Sequence, residues 1–571
     1  MAIDPDGTYD VAITGGGLAG LTMALHLKRA RPETSILLAE KRAGPVRGAA
    51  FKVGESSMET AGFYFNEIVG VGEHLETVHR RKAGLRFFFP AEENVDFGRR
   101  VERGPPGAGP VPSYQIDRGV FENELARCCR EQGIDHLDGC KVTDVTLDSA
   151  AHRVELDQGG QARTIAARWV IDASGRSSLL KRKLGLAREV EHTINSAWLR
   201  LEGGLDLEDF VSEEGWRGRM EELGIRKAST NHLMGEGYWV WIILLGTGPV
   251  SIGICADPRY HDFESFNTLE RAIAWLERHE PQVGAAVSSR PEEVMDFLKV
   301  EDFAFGSERV FSPERWCLTG EAGVFADPLY SPGSDSISLS NTFIADLVIR
   351  DLAGEDIRER TERYNATYLA WFEGLVLPTY TGQYGLFGNA QLMAGKLAWD
   401  DAVRWTILAL RMYRGKWTDL DFLDATSGAF ESAIRLNQRL QPLFREWHEL
   451  DRREWRDIFL SPREVPCLGV RLIGLLVDID DETLLGNSKL NQEFLEALAV
   501  ILFHKAAESL ADARVDPERR IDPYAVSLDP ARWEQDGLFE GAGLTLSEAL
   551  QRSPGIENAF PDHYASAPAG S

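Results

Sequence analysis

The first forty residues alternate between short apolar runs and one amphipathic stretch, a pattern that predicts strand, helix and strand. Residues 9–14 are rich in strand-forming side chains, 18–28 repeat apolar positions at helical spacing, and 35–39 are apolar again. Later segments continue these patterns, with strand-like runs at 84–89, 141–147, 153–156 and 169–171 and a helical pattern at 118–132. We therefore predict a mixed α/β domain with a Rossmann-like βαβ start.

A second set of strand-like runs follows, at 197–201, 238–245 and 250–256. The pattern of these runs is typical of antiparallel strands. They therefore predict an antiparallel sheet outside the nucleotide-binding fold. We expect this sheet to carry the substrate.

The pattern changes after about residue 360, where long helical stretches such as 400–414 and 491–511 dominate. We therefore divide the chain into a core of residues 1–360, with the second sheet inserted at about 190–310, and a C-terminal part. That part, residues 361–571, is predicted to be a mainly α-helical domain with an extended tail.

Composition and charge narrow the possible partners. The 571 residues are 43% hydrophobic and 26% charged, as expected of a globular protein. Lys and Arg total 62 against 89 Asp and Glu, and the net charge of −27 opposes binding to phosphate backbones, so nucleic acid is not an expected partner.

The cysteines and the apolar runs bear on location. Of six cysteines, Cys128 and Cys129 are adjacent and none forms a CxxC or Cys/His metal spacing, so we expect reduced thiols and no metal. The first ten residues lack the segments of a signal sequence, and apolar runs such as 239–245 are too short to cross a bilayer. These features predict a cytoplasmic protein with no membrane partner.

A glycine-rich turn directly follows the first predicted strand. The segment from Gly15 to Gly20 fits GxGxxG. Gly15 permits a tight turn, Gly17 lets the backbone approach a pyrophosphate, and Gly20 permits close packing of the helix. The turn therefore predicts a dinucleotide site.

Two neighbouring features complete this fingerprint. The helix start at Leu18 and Ala19 offers free N–H groups and a positive dipole end to the phosphates. Glu40 ends the next strand and can accept hydrogen bonds from ribose hydroxyls.

NAD and FAD share this fingerprint, and two later segments favour FAD. The first reads WVIDASGR over residues 169–176, and the second reads WCLTGEAGVFADPLYSPGS over 316–334. Both resemble the segments by which flavin monooxygenases and their relatives return the chain to FAD. The resemblance implies cofactor contacts from Asp172, Glu321, Pro328, Gly333 and Ser334. Most relatives carry Asp where this chain has Glu321, the residue expected at the ribityl chain.

Three further features resemble the FAD-dependent halogenase family. Gly54-Glu55-Ser56 is similar to its GES-type loop, Lys82 lies 28 residues beyond Gly54, and the segment WVWIIL at 239–244 is similar to WxWxIP with Leu for Pro. Taken singly, the tryptophans could pack a core and the lysine could be solvated. The combination identifies the family over about residues 9–350, and the helical domain lies outside the resemblance.

The resemblance implies a halogenation chemistry. Reduced FAD and oxygen convert chloride into an electrophilic chlorine species, which a lysine, here Lys82, holds as a chloramine or by hydrogen bonding. Chloride would bind in the loop that begins at Ser331, where backbone N–H groups at a helix start can hold an anion. Arg118 is a further expected contact of the cofactor.

Tyr330 bears on the substrate. Indole-directed halogenases carry a Glu at the matching position, so an indole is disfavoured. The segment YSPGSD at 330–335 and the long helical appendage resemble the branch of the family that acts in chloramphenicol-type antibiotic biosynthesis. That branch implies dichloroacetyl formation on an activated acyl group, on a thioester or carrier protein, with Tyr330 bonding the enol oxygen. A tyrosine that only packs in the core is the alternative.

Asp257 follows the run 250–256 and precedes Pro258, at the rim of the substrate sheet. A turn-starting Asp-Pro explains it. The alternative is a contact with the dimethylbenzene ring of the flavin, including a covalent tether.

Two other functions stay open on the sequence. One is an FAD-dependent hydroxylase of an aromatic substrate, in which Lys82 is structural. The other is a non-catalytic redox flavoprotein whose helical domain docks a carrier protein. Because one dinucleotide fingerprint is visible, we expect a separate flavin reductase to supply reduced FAD.

Overall fold

The computed structural model describes residues 7–49, 52–221, 224–511, 514–541 and 543–565. Its strands are β1 (Thr8–Thr14), β2 (Ile36–Glu40), β3 (Arg80–Arg81), β4 (Leu85–Phe89), β5 (Val101–Arg103), β6 (Tyr114–Gln115), β7 (Asp135–Asp138), β8 (Cys140–Thr146), β9 (His152–Gln158), β10 (Gln161–Asp172), β11 (Ala187–Arg188), β12 (Asn195–Leu201), β13 (Thr230–Gly235), β14 (Tyr238–Leu244), β15 (Val250–Ala256), β16 (Val294–Val300), β17 (Gly306–Ser307), β18 (Phe311–Ser312), β19 (Trp316–Leu318) and β20 (Phe459–Leu460).

The α-helices are α1 (Leu18–Ala30), α2 (Glu59–Phe63), α3 (Gly72–Val78), α4 (Arg118–Glu131), α5 (Leu179–Lys183), α6 (Glu214–Arg217), α7 (Leu269–His279), α8 (Pro281–Ser288), α9 (Pro332–Leu352), α10 (Arg358–Trp371), α11 (Leu377–Tyr380), α12 (Ala390–Val403), α13 (Leu410–Tyr413), α14 (Leu420–Ala425), α15 (Ser427–Leu450), α16 (Pro466–Gly474), α17 (Asp481–Ala507), α18 (Pro530–Gln535), α19 (Leu546–Arg552) and α20 (Pro561–Ala565).

The first sheet has the order β18-β19-β10-β1-β2-β7, with β8 and β9 attached through β10. Strand β1 pairs in parallel with both β2 and β10, and α1 connects β1 to β2. A parallel pair needs such a crossover. The buried residues 11–13 of β1 and 36–39 of β2 are all apolar, as is usual for parallel strands covered on both faces. The predicted βαβ start and the mixed α/β class are confirmed.

The second sheet has the order β16-β12-β15-β14-β13-β4-β5-β20. The predicted antiparallel runs form β12, β14 and β15. The sheet also takes β4 and β5 from the N-terminal part and β20 from the helical part, so all three parts of the chain contribute to it.

The helical part shares its core with the nucleotide-binding part. Trp417 is buried with its ring 6.0 Å from that of Phe343 on α9. The predicted helix over 400–414 is the end of a longer one, since α12 continues through a π-helical turn at Arg404–Ala409 into α13. The hydrophobic core is therefore continuous across residue 360.

All six cysteines are free thiols, as predicted. Among the helices of the described ranges, none combines the length and apolar character that crossing a bilayer requires.

Candidate active site

The three sequence segments predicted to bind a dinucleotide meet at one edge of the first sheet. Thr14 at the end of β1 pairs with Asp172 at the end of β10, and Asp172 pairs with Leu318 at the end of β19. Ligands of open α/β sheets bind at the carboxyl ends of the strands. The glycine turn, the segment after Asp172 and the segment after Leu318 therefore surround one site.

The glycines of the turn meet different surroundings. Gly15 has φ of +105°, and a Cβ there would lie 2.3 Å from the carbonyl oxygen of Ala173. A Cβ at Gly20 would lie 2.0 Å from the carbonyl oxygen of Gly15, whereas at Gly17 the nearest atom would be Lys52 Nζ, 3.9 Å away. Packing within the protein thus requires Gly15 and Gly20, while Gly17 faces open space, as a backbone that meets a pyrophosphate must.

A cavity of about 420 Å³ continues from this turn and is lined by Gly16, Glu40, Arg42, Lys52 and His136, among others. Glu40 accepts the backbone N–H of Gly16 at 2.8 Å and still faces the cavity. No side chain caps the start of α1, so its N–H groups stay available to phosphates. The cavity has the size and polarity for the nucleoside half of a dinucleotide.

Charged groups hold the loop that contains Gly54. Arg118 donates to Val53 O at 2.8 Å and to Glu122 at 2.6 Å, and Lys52 also pairs with Glu122. Glu55 accepts from Arg200 on β12 at 2.7 Å. The GES-type loop is therefore fixed between α4 and the second sheet.

The two predicted acidic contacts differ. Both carboxylate oxygens of Asp172 accept backbone N–H groups, from Ser174 at 2.9 Å and Leu180 at 2.7 Å, so Asp172 holds its own loop. Glu321 makes no hydrogen bond within the described residues, and burial raises the pKa of its carboxyl group although Arg176 and Arg118 oppose the shift. Glu321 is thus free to meet a polar ligand, and a cofactor contact of Asp172 stays a prediction.

Lys82 is 2% exposed and lies against the GES-type loop. Its Nζ donates to Ser56 Oγ at 2.7 Å and Ser57 O at 3.0 Å, and it lies 3.2 Å from Met58 Sδ. Burial lowers the pKa of this amine to about 7. Lys82 is therefore a buried amine that exists in both protonation states near neutral pH, which the solvated alternative does not explain.

Three charged side chains around Lys82 were not predicted from the sequence. They are Glu59, Asp335 and Arg404, and each contributes to the electrostatics of Lys82. Burial raises the pKa of Asp335 to about 7, and Arg404 Nε lies 3.9 Å from Glu59 Oε2 with no hydrogen-bond partner for either atom among the described residues. Asp335 stood in the quoted segment YSPGSD, but nothing in the sequence linked Arg404, in the helical part, to this site.

The loop before α9 has an unusual backbone. Tyr330 and Ser331 both have positive φ, +68° and +58°, and α9 begins at Pro332. A Cβ on Gly333 would touch only the edge of Phe325, at 3.9 Å, so the backbone is open at Gly333, whereas Ser334 is buried. The Tyr330 hydroxyl is buried beside Asp400 without a well-formed hydrogen bond, and burial raises its pKa well above the ordinary range.

The two tryptophans of the WxWxI segment project from the same face of β14 toward the core shared with the first sheet. Their rings lie 5.7 Å apart. Trp239 donates to Tyr384 OH and Trp241 to Ser251 Oγ, both at 3.0 Å.

Asp257 is buried at the end of β15, and its carboxylate is bound by Arg259 through the backbone N–H and the guanidinium group. Its carbonyl accepts the N–H groups of Tyr260 and His261. This is the turn arrangement that the sequence allowed, and a flavin contact of Asp257 stays a prediction.

Comparisons with known proteins agree with this geometry. A family model described as lycopene cyclase protein matches residues 10–191, the region of the glycine turn. The flavin-dependent halogenase chlA of Dictyostelium discoideum is 25% identical over 449 residues, which cover 72% of this chain and 71% of that protein. The 1H-pyrrole-2-carbonyl-[peptidyl-carrier protein] chlorinase of Pseudomonas fluorescens is 27% identical, over 60% of this chain and 75% of that protein.

These similarities support the assignment of this chain to the FAD-dependent halogenases. A solved structure of the halogenase PltM in complex with phloroglucinol and FAD has the same fold, with a TM-score of 0.63 and 18% identity over 85% of this chain and 96% of that one.

The halogenase has a cradle that fits FAD. Three features can receive FAD: the open backbone at Gly17, the nucleoside-sized cavity beside the glycine turn, and the carboxylate of Glu321, which none of the described residues hydrogen-bonds. When bound, FAD supplies the reduction of oxygen on which the family's chemistry depends.

Proposed function

We propose that this halogenase uses reduced FAD, oxygen and chloride to chlorinate a carbon made nucleophilic by an enol-type oxygen. The first candidate is an activated acyl group that becomes a dichloroacetyl group, as in chloramphenicol-type biosynthesis. The observation that carries the proposal is the buried Lys82 amine at the GES-type loop. One chlorination balances as R–H + Cl⁻ + H⁺ + O₂ + FADH₂ → R–Cl + FAD + 2 H₂O.

The protonation state of Lys82 supports this chemistry. A pKa of about 7 leaves much of the amine neutral, with a lone pair that can accept chlorine from hypochlorous acid and release water. Ser56 Oγ and Ser57 O then orient the nitrogen, so that chlorine passes to one carbon and not into solution. The substrate proton leaves as chlorine arrives. Glu59 Oε2 can accept it, since it has no hydrogen-bond partner among the described residues and lies 3.9 Å from Arg404 Nε.

Tyr330 supports the enol-type substrate. Its raised pKa keeps the phenol protonated, so it is a hydrogen-bond donor without a well-formed acceptor. An enol or enolate oxygen is such an acceptor.

A phenolic or pyrrole ring is the second candidate, because it also presents a nucleophilic carbon next to a heteroatom. Aromatic side chains favour it: Phe87 lies 4.7 Å from His232 and 6.0 Å from Tyr330, measured between ring centroids. The relatives named above include one that acts on a carrier-bound pyrrole and one bound to phloroglucinol.

Two partners follow from the proposal. Reduced FAD comes from a separate flavin reductase, since the chain has one dinucleotide fingerprint. A carrier protein or thioester presents the acyl form of the substrate.

The test is chlorination of a defined panel by the FAD-loaded enzyme with reduced FAD, air and chloride. The panel holds acetoacetyl thioesters, phloroglucinol and free tryptophan, and mass spectrometry looks for the isotope pattern of chlorine. We expect products from the thioester or the phenol and little from tryptophan. A hydroxylated product that forms equally without chloride would establish the hydroxylase alternative, and oxidation of reduced FAD with no product would favour the redox flavoprotein.

A further inference from the structure

A buried carboxylate stands at the start of the loop proposed to bind chloride. Asp327 is completely buried and precedes Pro328. Its oxygens accept from the backbone N–H of Leu329 at 2.8 Å and from Tyr384 OH at 2.7 Å, and His192 Nε2 lies at 2.8 Å. A buried charge needs such partners, so these contacts fix Asp327 and, through Leu329, the loop.

The loop depends on this support because its backbone is strained. Consecutive positive φ angles at Tyr330 and Ser331, neither of which is glycine, are strained and persist only when neighbours impose them. Both polar backbone atoms of Leu329 are held, its N–H by Asp327 and its carbonyl by Tyr380 OH at 2.9 Å.

Trp239 is the outer member of this hydrogen-bond chain. Its indole N–H donates to Tyr384 OH at 3.0 Å, and Tyr384 donates to Asp327. The backbone carbonyl of Tyr384 also accepts the N–H of Gly237, at the turn that leads into β14. The chain therefore runs from β14, through the helical part, to the loop before α9.

We propose that Trp239 is a positioning residue for the halide site, acting through Tyr384 and Asp327 on the loop of residues 328–334. This inference rests on the proposed function, together with the prediction from the sequence that chloride binds from Ser331 onward in that loop. It differs from a packing role, because packing would involve Trp241 equally. Trp241 lies on the same face of the same strand but donates to Ser251 of its own sheet.

The test needs no organic substrate. Reduced FAD is oxidised in air by the FAD-loaded enzyme, and the hydrogen peroxide released per FADH₂ is measured as chloride is added. In the wild type, chloride should lower the peroxide yield, because oxidant is diverted to hypochlorous acid. Trp239→Phe keeps a ring and removes only the indole N–H. This variant should raise by about fivefold the chloride concentration at which the fall in peroxide yield is half complete, because one hydrogen bond contributes about that factor. Tyr384→Phe should have the same effect.

Trp241→Phe is the matched control and should behave as the wild type. Equal effects of the two tryptophan variants, or no effect of Trp239→Phe, would overturn the inference. An effect of Trp239→Phe without one of Tyr384→Phe would reject the route through Tyr384. Absence of any chloride effect in the wild type would instead overturn the proposed function, and FAD stoichiometry verifies that each variant is folded.

Discussion

Lys82 and Lys52 show how surroundings separate two similar side chains near one loop. Lys52 pairs with Glu122, whereas Lys82 donates to a hydroxyl and a carbonyl and, in the part of the chain that the structure describes, has no carboxylate within hydrogen-bond distance. Burial lowers the pKa of both amines, that of Lys82 to about 7, but Glu122 opposes the shift at Lys52 and holds it in an ion pair. Of the two, Lys82 is therefore the one we propose to carry chlorine.

Substitution of Lys82 should separate the two halves of the reaction. Lys82→Ala should keep FAD binding and oxidation of reduced FAD, and lose nearly all chlorinated product, because no other amine stands in its place. Lys82→Arg should fail too, since a guanidinium stays protonated. The measurement is the amount of chlorinated product per FADH₂ oxidised. Lys183→Ala, at an exposed position of α5, is the control. Undiminished chlorination by Lys82→Ala would return the lysine to a structural role.

The pH dependence of coupling should report the same amine. Its folded pKa, about 7, lies below the ordinary value of 10.5, so the neutral form grows as pH rises through 7. Chlorinated product per FADH₂ should therefore increase from pH 6 to pH 8 and then level off. A yield that falls across this range would favour hydrogen bonding by the ammonium form.

The sequence was sufficient for residues whose spacing is local. Gly15, Gly17 and Gly20 belong to one turn, and Lys82 stands at a fixed distance from Gly54. It was insufficient for Arg404, which reaches Glu59 across 345 positions of chain. Electrostatic neighbours of this kind follow from packing and not from spacing.

At the scale of elements, the glycine turn combines structural and ligand-facing positions. A Cβ at Gly17 meets no backbone within 4 Å, so the protein can accommodate a side chain there. The ligand cannot.

Gly17→Asp should therefore give a folded protein that does not retain FAD, because a carboxylate would repel the pyrophosphate as well as occupy its space. Flavin absorbance after gel filtration measures the loss, and circular dichroism measures the fold. Gly109→Asp, at a glycine with no atom near its Cβ, is the control and should stay yellow. A yellow Gly17→Asp protein would contradict the assignment of the cradle.

Element prediction succeeded where periodicity is strong and failed where partners are distant. Strand β15 has the predicted bounds, since alternation over seven buried residues leaves little choice. The run 84–89 was expected beside the nucleotide fold, but β4 pairs with β13, about 145 residues later. The π-helical turn at Arg404–Ala409 has no sequence signature. It begins at Arg404, whose guanidinium group lies near Glu59 in the candidate site.

At the scale of the whole molecule, the helical part contributes to the core and to the site. Tyr380 and Tyr384 bind the loop before α9, and Tyr413 OH donates to Glu59 O at 3.1 Å. The helical part therefore helps to hold residues of the candidate site in place.

Trp417→Ala should reveal this coupling. The ring is 1% exposed and packs on Phe343 of α9, so its removal should cost about 3–5 kcal/mol of stability. The Tm and the temperature of flavin release should fall together, in one transition. Trp533→Ala, at a half-buried tryptophan of the tail, should have a smaller effect. A fall in Tm that leaves flavin release unchanged would show that the parts unfold independently.

The position of Met58 predicts a limit on how long the enzyme stays active. Its sulfur lies 3.2 Å from Lys82 Nζ, and thioethers are readily oxidised by chlorinating agents. A chloramine left without substrate should convert Met58 to its sulfoxide, with water supplying the oxygen and chloride leaving as the amine is restored. Turnover with chloride but no organic substrate should add one oxygen to the Met58 peptide, and Met58→Leu should prolong activity. An unmodified Met58 after inactivation would show that the enzyme ages by another route.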